Sequence, residues 1–433
     1  MTIEQKPEVI RTPEVMIHDW DHEGSEIVRN ANFRILDTTL RDGRQKPKIK
    51  QPSIKDQKGI IDLNAKAGID AIDICMPGTR GKYYREGIEC AKYIHETYPD
   101  IDIVVLARTI EDDVVATMQF SEEAGVPLSV ILFRGTSDLR LIAEDWNEDQ
   151  IVEDMFRFST RLKNAGQKVI CATEDTTRTR PTFLKKIFEA GIEGGATELC
   201  VADTVGYADP VGVKLQMEWI RREINGAASL PIHFHGHDDT RNSVANSIAA
   251  IKAVPDVIVH ATWLGVGERA GNTPMEGLLS DLDRRNIDRY DLGYAVPAIE
   301  LTSKSFNVPI PANQPLAGEV VFTNMSGIHT AAIYKALQMG RKDIAGVVYS
   351  AVSPFRVGRE HKFNIGTLSG KYNVIATLDR INKEYGTQIE YSDELARELL
   401  RQANIKNSDL DDEEVIRTAK PSGENGNGHL VME

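Results

Sequence analysis

Three histidines and two aspartates stand close together in residues 233–239, which read HFHGHDD. A β-branched run precedes the segment and a helix-like run follows it, so we expect a strand that ends at the histidines. Side chains alternate between the two faces of a strand, so His233, His235 and His237 should point the same way. Two imidazoles at i and i+2 can hold one divalent cation. Buried, hydrogen-bonded histidines are the alternative interpretation, but the clustering favours a metal site.

A carboxylate for the same site is expected at the end of the first strand, where Arg41 and Asp42 stand. Asp42, His235 and His237 would suit Mg²⁺, Mn²⁺ or Zn²⁺ and leave positions open for a substrate. His233, roughly 6–7 Å back along the strand, is expected to fill the interior or support the ligands. Arg41 could bind a substrate carboxylate or form a salt bridge with a neighbouring acid, and its position leaves both open. A cation beside an arginine can chelate a 2-oxo acid and polarise its keto group.

Short β-branched runs alternate with longer amphipathic runs through the first two thirds of the chain. This alternation predicts an α/β fold in which eight parallel strands close into a (β/α)8 TIM barrel of about 250 residues. An open doubly wound sheet is the alternative. The turn after the first strand, residues 42–45, has no GxGxxG motif, so a dinucleotide-binding fold is disfavoured. The predicted strands are 34–40, 71–75, 102–107, 127–133, 168–173, 198–202, 232–237 and 257–264.

Polar side chains collect where these strands end, which is where a TIM barrel places its chemistry. One polar strand end is only a solvated loop, but six or seven around one rim indicate a catalytic face. A glycine-rich loop, residues 265–272, follows the last strand and could let the backbone approach a cofactor closely. The polar strand ends are Arg41-Asp42, Arg108, residues 134–137, Glu174-Asp175, Asp203-Thr204 and His235–His237.

The bulk composition excludes several classes of partner. The chain has 433 residues and a net charge of −14, with no long basic run, so nucleic acid and anionic membranes are poor partners. Its four cysteines lack CxxC spacing and are expected to be reduced core thiols of a cytoplasmic protein. Neither a signal peptide nor an apolar run of about 18 residues is present, so we expect neither secretion nor a membrane span.

Composition also suggests the boundaries of the parts. We expect an irregular N-terminal arm over residues 1–30 and the barrel over 31–295. A proline-containing linker is predicted over 296–325, followed by small, mostly helical C-terminal subdomains over 326–418. The polar, Gly/Asn-rich residues 419–433 are predicted to be disordered.

Four motifs in order identify a family resemblance that covers about residues 33–400. Together they resemble the DRE-TIM metallolyase superfamily, and within it the Claisen-condensing branch represented by 2-isopropylmalate synthase and homocitrate synthase. The C-terminal segments SGIH at 326–329 and VGRE at 357–360 extend the match. The motifs are LDTTLRDG at 36–43, DTVGY at 203–207, HGH at 235–237 and GVGERAGN at 265–272.

The resemblance implies a role for each matching residue. The reaction would be condensation of acetyl-CoA with a 2-oxo acid and then thioester hydrolysis, and a methyl proton this weakly acidic requires both a base and enolate stabilisation. A homodimer would swap the C-terminal region onto the partner barrel, so that the partner chain delivers His329 and Tyr349. The other implied roles are the metal ligands Asp42, His235, His237 and Asn272; the 2-oxo acid contacts Arg41, Gln45, Arg108 and Thr204; the activating acid Glu174; and the acetyl-CoA contacts Gly265, Gly267, Glu268 and Arg269.

The sequence departs from the family pattern near the expected 2-oxo acid pocket. Arg44 stands where the family has Glu, and Asp73 lies in a changed strand end, residues 72–77. The substrate, which could give 2-isopropylmalate, homocitrate or benzylmalate, is therefore left open. The chain lacks the length of a leucine-sensing regulatory domain, so we expect no inhibition by leucine. The alternatives are a carbon–carbon lyase of the same superfamily and a non-catalytic metal-binding barrel.

Overall fold

Eight parallel strands form a closed barrel in this computed structural model, which describes residues 16–419. The strands pair in chain order, and β1 closes the barrel by pairing with β8 from Phe33 opposite Val257 to Asp37 opposite Ala261. The predicted TIM-barrel class is therefore confirmed. The strands are β1 Phe33–Asp37, β2 Ala71–Cys75, β3 Asp102–Arg108, β4 Ser129–Gly135, β5 Lys168–Glu174, β6 Glu198–Asp203, β7 Ile232–Gly236 and β8 Val257–Ala261.

Helices connect successive strands, as parallel pairing requires. Two of them, α2 and α4, end at Gly68 and Gly125, whose φ values of 83° and 69° supply the left-handed helix end. Two helices stand between β4 and β5, and two follow β8. The barrel helices are α1 His22–Asn30, α2 Ile54–Ala67, α3 Gly81–Thr97, α4 Glu111–Ala124, α5 Asp138–Glu144, α6 Glu148–Asn164, α7 Pro181–Glu193, α8 Pro210–Glu223, α9 Ser243–Ala253, α10 Met275–Arg284 and α11 Ala295–Phe306.

The start of α2 is stabilised by a reciprocal capping box. The amide of Asp56 donates to Ser53 Oγ at 3.2 Å, and the amide of Ser53 donates to Asp56 Oδ2 at 3.3 Å. We expect Ser53→Ala to lower the free energy of unfolding of the barrel by about 1 kcal/mol, because the backbone amide of Asp56 in the first turn of α2 loses its acceptor. Urea denaturation measures the change. Ser408→Ala, at an exposed serine outside any cap, is the control, and an equal loss in both variants would contradict this role.

The barrel interior is filled by inward-facing apolar side chains from seven of the eight strands. All are buried, and each fully buried large side chain stabilises the fold by about 1.5–3 kcal/mol. The members of this set on β3 to β6 include residues that also line the cavity described below. The set comprises Leu36, Ala71, Val104, Leu106, Ile131, Ile170, Ala172, Cys200 and Ile258.

Residues 319–419 belong to a second compact unit. Its core contains Val374, Leu378, Ile381 and Leu399, all buried. A two-stranded parallel sheet pairs β9 with β10. The elements of this unit are β9 Thr323–Asn324, α12 Gly327–Gln338, α13 Lys342–Val347, β10 Lys362–Phe363, α14 Lys371–Tyr385, α15 Asp393–Lys406 and α16 Asp412–Ala419.

Two segments predicted to be irregular contain helices. In the predicted arm, residues 1–15 lie outside the described residues, and α1 occupies part of the remainder. In the predicted linker, α11 fills residues 295–306 and buries seven side chains in the barrel unit. Pro297 lies in the first turn of α11, where a proline is tolerated, and the other prolines of the predicted linker come after the helix. Of the predicted tail, Ala419 ends α16, and residues 420–433 lie outside the described residues.

The four cysteines are all buried and free. None of the helices within residues 16–419 has the length and apolar character needed to cross a membrane.

Candidate active site

A cavity of about 250 Å³ opens where the barrel strands end. Most of the strand-end residues singled out in the sequence line it. Its polar lining residues follow β1 and β6 or lie near or beyond the ends of β5, β7 and β8, and its apolar lining residues lie on β3 to β6, with Met76 after β2. The lining residues are Arg41, Asp42, Gln45, Met76, Leu106, Ile131, Phe133, Ala172, Thr173, Glu174, Cys200, Ala202, Thr204, His235, His237, His260, Glu268 and Arg269.

Asp42, His235 and His237 form a buried cluster of possible metal ligands. One ligand atom from each lies within 4.8 Å of the others. Asp42 Oδ2 is 3.5 Å from His235 Nε2 and 4.0 Å from His237 Nε2. Strand β7 ends between the two histidines, and Asp42 precedes the short 3₁₀ turn Gly43–Gln45 that follows β1. The fold therefore brings Asp42 together with two histidines that follow it by 193 and 195 positions in the sequence.

A buried amide oxygen without a partner supports a divalent cation at this donor set. Asn272 Oδ1 is buried and has no hydrogen-bond partner among the described residues. The Asn272 amide donates to Asp42 Oδ1 at 2.9 Å, so its oxygen lies beside the cluster. Leaving such atoms unpaired costs free energy unless a ligand satisfies them. One carboxylate, two imidazoles and an amide oxygen fit Mg²⁺, Mn²⁺ or Zn²⁺.

Gly267 permits the loop after β8 to pack directly against this cluster. A Cβ atom on Gly267 would overlap Asn272 Nδ2 and lie 2.8 Å from Asp42 Oδ1. Its neighbour Gly265 has a φ of 57°, a conformation that favours glycine. The glycines of the loop therefore shape the metal cluster, which the sequence alone did not distinguish from a cofactor contact.

We expect Gly267→Ala to weaken divalent-cation binding at least tenfold and to destabilise the barrel by about 1–3 kcal/mol, since the new methyl group displaces Asp42 and Asn272. Titration of Mn²⁺ followed by electron paramagnetic resonance measures the affinity. Gly212→Ala in α8 is the matched control, because its Cβ would meet only Asp209 Oδ1 at 3.4 Å. Unchanged Mn²⁺ affinity in Gly267→Ala would show that the close approach is unimportant.

Arg41 is buried between two carboxylates and still lines the cavity. Its Nε lies 2.6 Å from Asp73 Oδ2, and its Nη1 lies 2.9 Å from Asp42 Oδ2. Burial alone would raise the pKa of Asp42, but the Arg41 guanidinium and the two imidazoles hold that pKa well below its usual range. Asp42 is therefore ionised, as a metal ligand must be. Of the two interpretations left open for Arg41, the salt bridge is present, and the cavity leaves substrate contact available.

Glu174 lies at the end of β5 with its carboxylate in the cavity wall. Burial raises the pKa of Glu174, and the nearby Arg140 guanidinium, 3.1 Å away, partly offsets this effect. A carboxylate with a raised pKa is a stronger base. Arg140, on α5, was not singled out in the sequence, because helical arginines carry no signal of their partner.

The predicted 2-oxo acid contacts do not all lie in the cavity. Gln45 and Thr204 line it, and Thr204 Oγ1 accepts a hydrogen bond from the Asp175 amide at 2.8 Å. Arg108 does not line it, because its guanidinium forms a bidentate pair with Asp113 at 2.8 and 2.9 Å. Asp113, in the first turn of the next helix, holds the Arg108 side chain, and contact between Arg108 and the substrate stays a prediction.

The residues expected to contact acetyl-CoA lie on the loop between β8 and α10. Glu268 and Arg269 line the cavity. The Arg269 guanidinium pairs with Asp239 at 3.0 Å and also donates to the carbonyl oxygen of Thr204. This network links the loops after β6, β7 and β8 on one side of the cavity.

His329 and Tyr349 lie in the C-terminal unit and contact each other. Their rings stack with centroids 3.9 Å apart and an interplanar angle of 25°. Both side chains are exposed, and Tyr349 is 41% exposed. The structure therefore forms the His/Tyr pair that the resemblance implies.

Sequence reasoning missed the apolar wall and one buried histidine. His260 on β8 lines the cavity, and so do Met76, Leu106, Ile131 and Phe133. Strand alternation could have found several of these, because every second residue of a barrel strand faces inward. His233, which was expected to support the ligands, is buried and hydrogen-bonded to His260 and Glu198.

The fold and the site together define a TIM-barrel protein with a candidate divalent-metal centre at the carboxyl ends of its strands. A model of the HMGL-like family matches residues 32–302. The chain therefore belongs to the HMGL-like family, which corresponds to the DRE-TIM resemblance found in the sequence.

Two curated relatives are similar over most of the chain. A protein of Methanosphaerula palustris named as an (R)-citramalate synthase is 33% identical over 80% of this chain and 65% of its own length. A homocitrate synthase of Methanopyrus kandleri is 29% identical over 90% of this chain and 92% of its own. The chain thus spans slightly less than two thirds of the first relative.

A solved structure of hydroxymethylglutaryl-CoA lyase from Pseudomonas aeruginosa has a TM-score of 0.53 and 17% identity. The match covers 63% of this chain and 92% of that one. At this identity the likeness supports the barrel fold alone.

Proposed function

We propose that this chain is an acyltransferase that condenses acetyl-CoA with a 2-oxo acid and then hydrolyses the thioester to release a 2-substituted malate and CoA. The observation that carries the proposal is the cavity, where the metal-ligand cluster, Arg41 and Glu174 line one space. The relatives named as synthases match 80–90% of the chain, well beyond the barrel. The likeness to a lyase is confined to 63% of the chain, so the lyase alternative has the weaker support.

The 2-oxo acid would bind beside the cluster. Asp42, His235, His237 and Asn272 would hold the divalent cation, which would polarise the keto group. Arg41 Nη2, which does not take part in the bonds to Asp73 and Asp42, would donate to the substrate carboxylate. Thr204 and Gln45, which line the same cavity, would complete the carboxylate contacts.

Glu174 would act as the base. Its carboxylate accepts a proton from the methyl group of acetyl-CoA, and the electron pair of that C–H bond forms the new carbon–carbon bond to the keto carbon. The keto oxygen becomes a hydroxyl group by taking up a proton. Water then cleaves the thioester C–S bond, which gives the carboxylate and releases CoA as a thiol.

The cavity favours a 2-oxo acid with an apolar side chain. Leu106, Ile131, Phe133 and other apolar residues form the wall away from the cluster. The lining cations are Arg41, paired with Asp73 and Asp42, and Arg269, paired with Asp239. A second substrate carboxylate, as in 2-oxoglutarate or oxaloacetate, would be desolvated there without a free cation. A product such as 2-isopropylmalate or benzylmalate is therefore favoured over homocitrate.

The remaining contacts would come from the loop after β8 and from a second chain. Acetyl-CoA would lie against the Gly265–Gly267 turn, Glu268 and Arg269. In a homodimer with swapped C-terminal regions, His329 and Tyr349 of the partner subunit would complete the cavity. The stacked, exposed geometry of this pair supports its delivery to another surface.

Subunit complementation tests the exchange. We expect Glu174→Gln and His329→Ala each to be inactive alone. Randomly mixed dimers should regain activity from about one quarter of the sites, since half of the dimers would then hold one intact site. Refolding or co-expression of the two variants, followed by thiol-release assays, measures the recovery. Absence of recovery in verified mixed dimers would exclude the exchange.

The function itself is tested by release of free thiol from acetyl-CoA in the presence of Mn²⁺ or Mg²⁺. Pyruvate, 2-oxoisovalerate and phenylpyruvate are compared with the dicarboxylates 2-oxoglutarate and oxaloacetate. Mass spectrometry identifies the products by their mass. We expect release with one or more of the first three. Activity confined to the dicarboxylates would contradict the apolar specificity, and no release with any of the five would contradict the synthase proposal.

A further inference from the structure

Four buried side chains form a continuous line of hydrogen bonds through the barrel to the metal cluster. His233 Nε2 lies 2.9 Å from Glu198 Oε2, and His233 Nδ1 lies 2.9 Å from His260 Nε2. His260 Nδ1 lies 3.2 Å from His235 Nδ1. Every ring nitrogen of His233 and His260 is therefore used within the line. The line ends at His235, whose other nitrogen, Nε2, faces Asp42 at 3.5 Å.

Glu198 starts the line as an ionised carboxylate. Its second oxygen, Oε1, lies 3.0 Å from Arg34 Nη2 and 3.0 Å from Lys168 Nζ. Burial raises the pKa of Glu198, but the His233 hydrogen bond and the Lys168 ammonium outweigh burial and lower that pKa to about 2. An ionised carboxylate only accepts hydrogen bonds. His233 must therefore donate to it through Nε2.

When the three rings are neutral, that constraint fixes the tautomer of each one. A neutral imidazole has one donor and one acceptor nitrogen, so His233 accepts at Nδ1 from His260 Nε2–H. His260 then accepts at its own Nδ1 from His235 Nδ1–H. His235 is left with a lone pair on Nε2, the nitrogen that faces Asp42.

We propose that Glu198, through His233 and His260, is a positioning residue that fixes the tautomer of His235 and so presents the Nε2 lone pair to a divalent cation. The proposal rests on the candidate metal centre and not on the condensation reaction. A direct carboxylate or carbonyl partner usually serves this purpose for a metal-bound histidine. Here the imidazoles of His233 and His260 transmit the donor–acceptor direction of the hydrogen bonds from Glu198, at the opposite end of the barrel strands, to the cluster.

Glu198→Gln is expected to exchange donor and acceptor in each hydrogen bond of the line while the shape of the side chain stays the same. Arg34 and Lys168 are both donors, so they retain the amide oxygen of the glutamine, and its NH₂ group faces His233 Nε2. His233 would then donate from Nδ1 and His260 from Nδ1. His235 would accept at Nδ1 and carry its proton on Nε2, where the proton blocks the cation.

Mn²⁺ affinity, measured by electron paramagnetic resonance, tests the proposal without any substrate. We expect Glu198→Gln to weaken Mn²⁺ binding about 10- to 100-fold, the usual effect of losing a residue that supports a ligand. Asp102→Asn is the matched control, because Asp102 also pairs with Lys168, at 3.2 Å, but lies outside the line. Its Mn²⁺ affinity should remain at the wild-type value. Equal affinities for Glu198→Gln and wild type would overturn the proposal.

A second measurement on the unaltered, metal-free chain decides the case even if Glu198→Gln does not fold. The ¹⁵N resonances of the histidine rings report which nitrogen carries the proton. We expect the proton on Nε2 in His233 and His260 and on Nδ1 in His235. A proton on Nε2 of His235 would overturn the proposal, whether or not the chain proves to be a synthase.

Discussion

Glu174→Gln is expected to lower kcat for condensation by about 10²- to 10⁴-fold, the contribution of a well-placed general base. The glutamine keeps the size of the side chain and leaves the Arg140 guanidinium beside it, but it cannot take the methyl proton. Burial raises the pKa of Glu174, so the substitution removes a base stronger than an ordinary carboxylate. Stopped thiol-release assays at saturating 2-oxo acid and acetyl-CoA measure the loss.

Glu144→Gln is the matched control for this variant. Glu144 also pairs with Arg140, at 3.1 Å, but it does not line the cavity. Its kcat should remain close to that of the wild type, and Mn²⁺ affinity should be unchanged in both variants. If Glu174→Gln retained its kcat, or if both variants lost it equally, Glu174 would not be the base.

His237→Ala is expected to abolish condensation by removing a metal ligand. Its buried Nδ1 has no hydrogen-bond partner among the described residues, and its Nε2 faces Asp42. Loss of residues that only support ligands costs about 10- to 100-fold in metal affinity, so loss of a ligand should exceed 100-fold. Mn²⁺ titration and thiol release measure binding and activity separately.

His95→Ala, at an exposed histidine on α3, controls for nonspecific metal contacts. We expect it to bind Mn²⁺ like the wild type. Excess Mn²⁺ should restore part of the activity of His237→Ala, because the other ligands remain. Unaltered Mn²⁺ affinity in His237→Ala would mean that the cation binds elsewhere.

The metal cluster could be predicted from the sequence because two simple periodicities define it. Strand alternation places His235 and His237 on one face, and barrel geometry places strand ends such as Asp42 on one rim. Neither rule requires knowledge of packing. The same rules, with the resemblance, also identified Glu174 and Thr204, which line the cavity.

Residues whose roles depend on long side chains could not be placed in this way. Arg108 and Arg41 both follow strand ends, yet Asp113 turns Arg108 aside while Asp73 and Asp42 hold Arg41 in the wall. An arginine reaches several neighbours, and its choice depends on which carboxylate lies nearby in the folded chain. The helix α1 was missed because only one of its three buried residues, Val28, has a large apolar side chain; the others are Gly24 and Ser25.

The condensation account is tested most directly by restoring the metal to chelator-stripped protein in the presence of acetyl-CoA and the apolar 2-oxo acids. We expect thiol release to be absent before Mn²⁺ is added and to reach a plateau at about one ion per chain, with the mass of a 2-substituted malate as product. Thiol release that persists in the stripped protein, or Mn²⁺ binding without any malate product, would contradict the account.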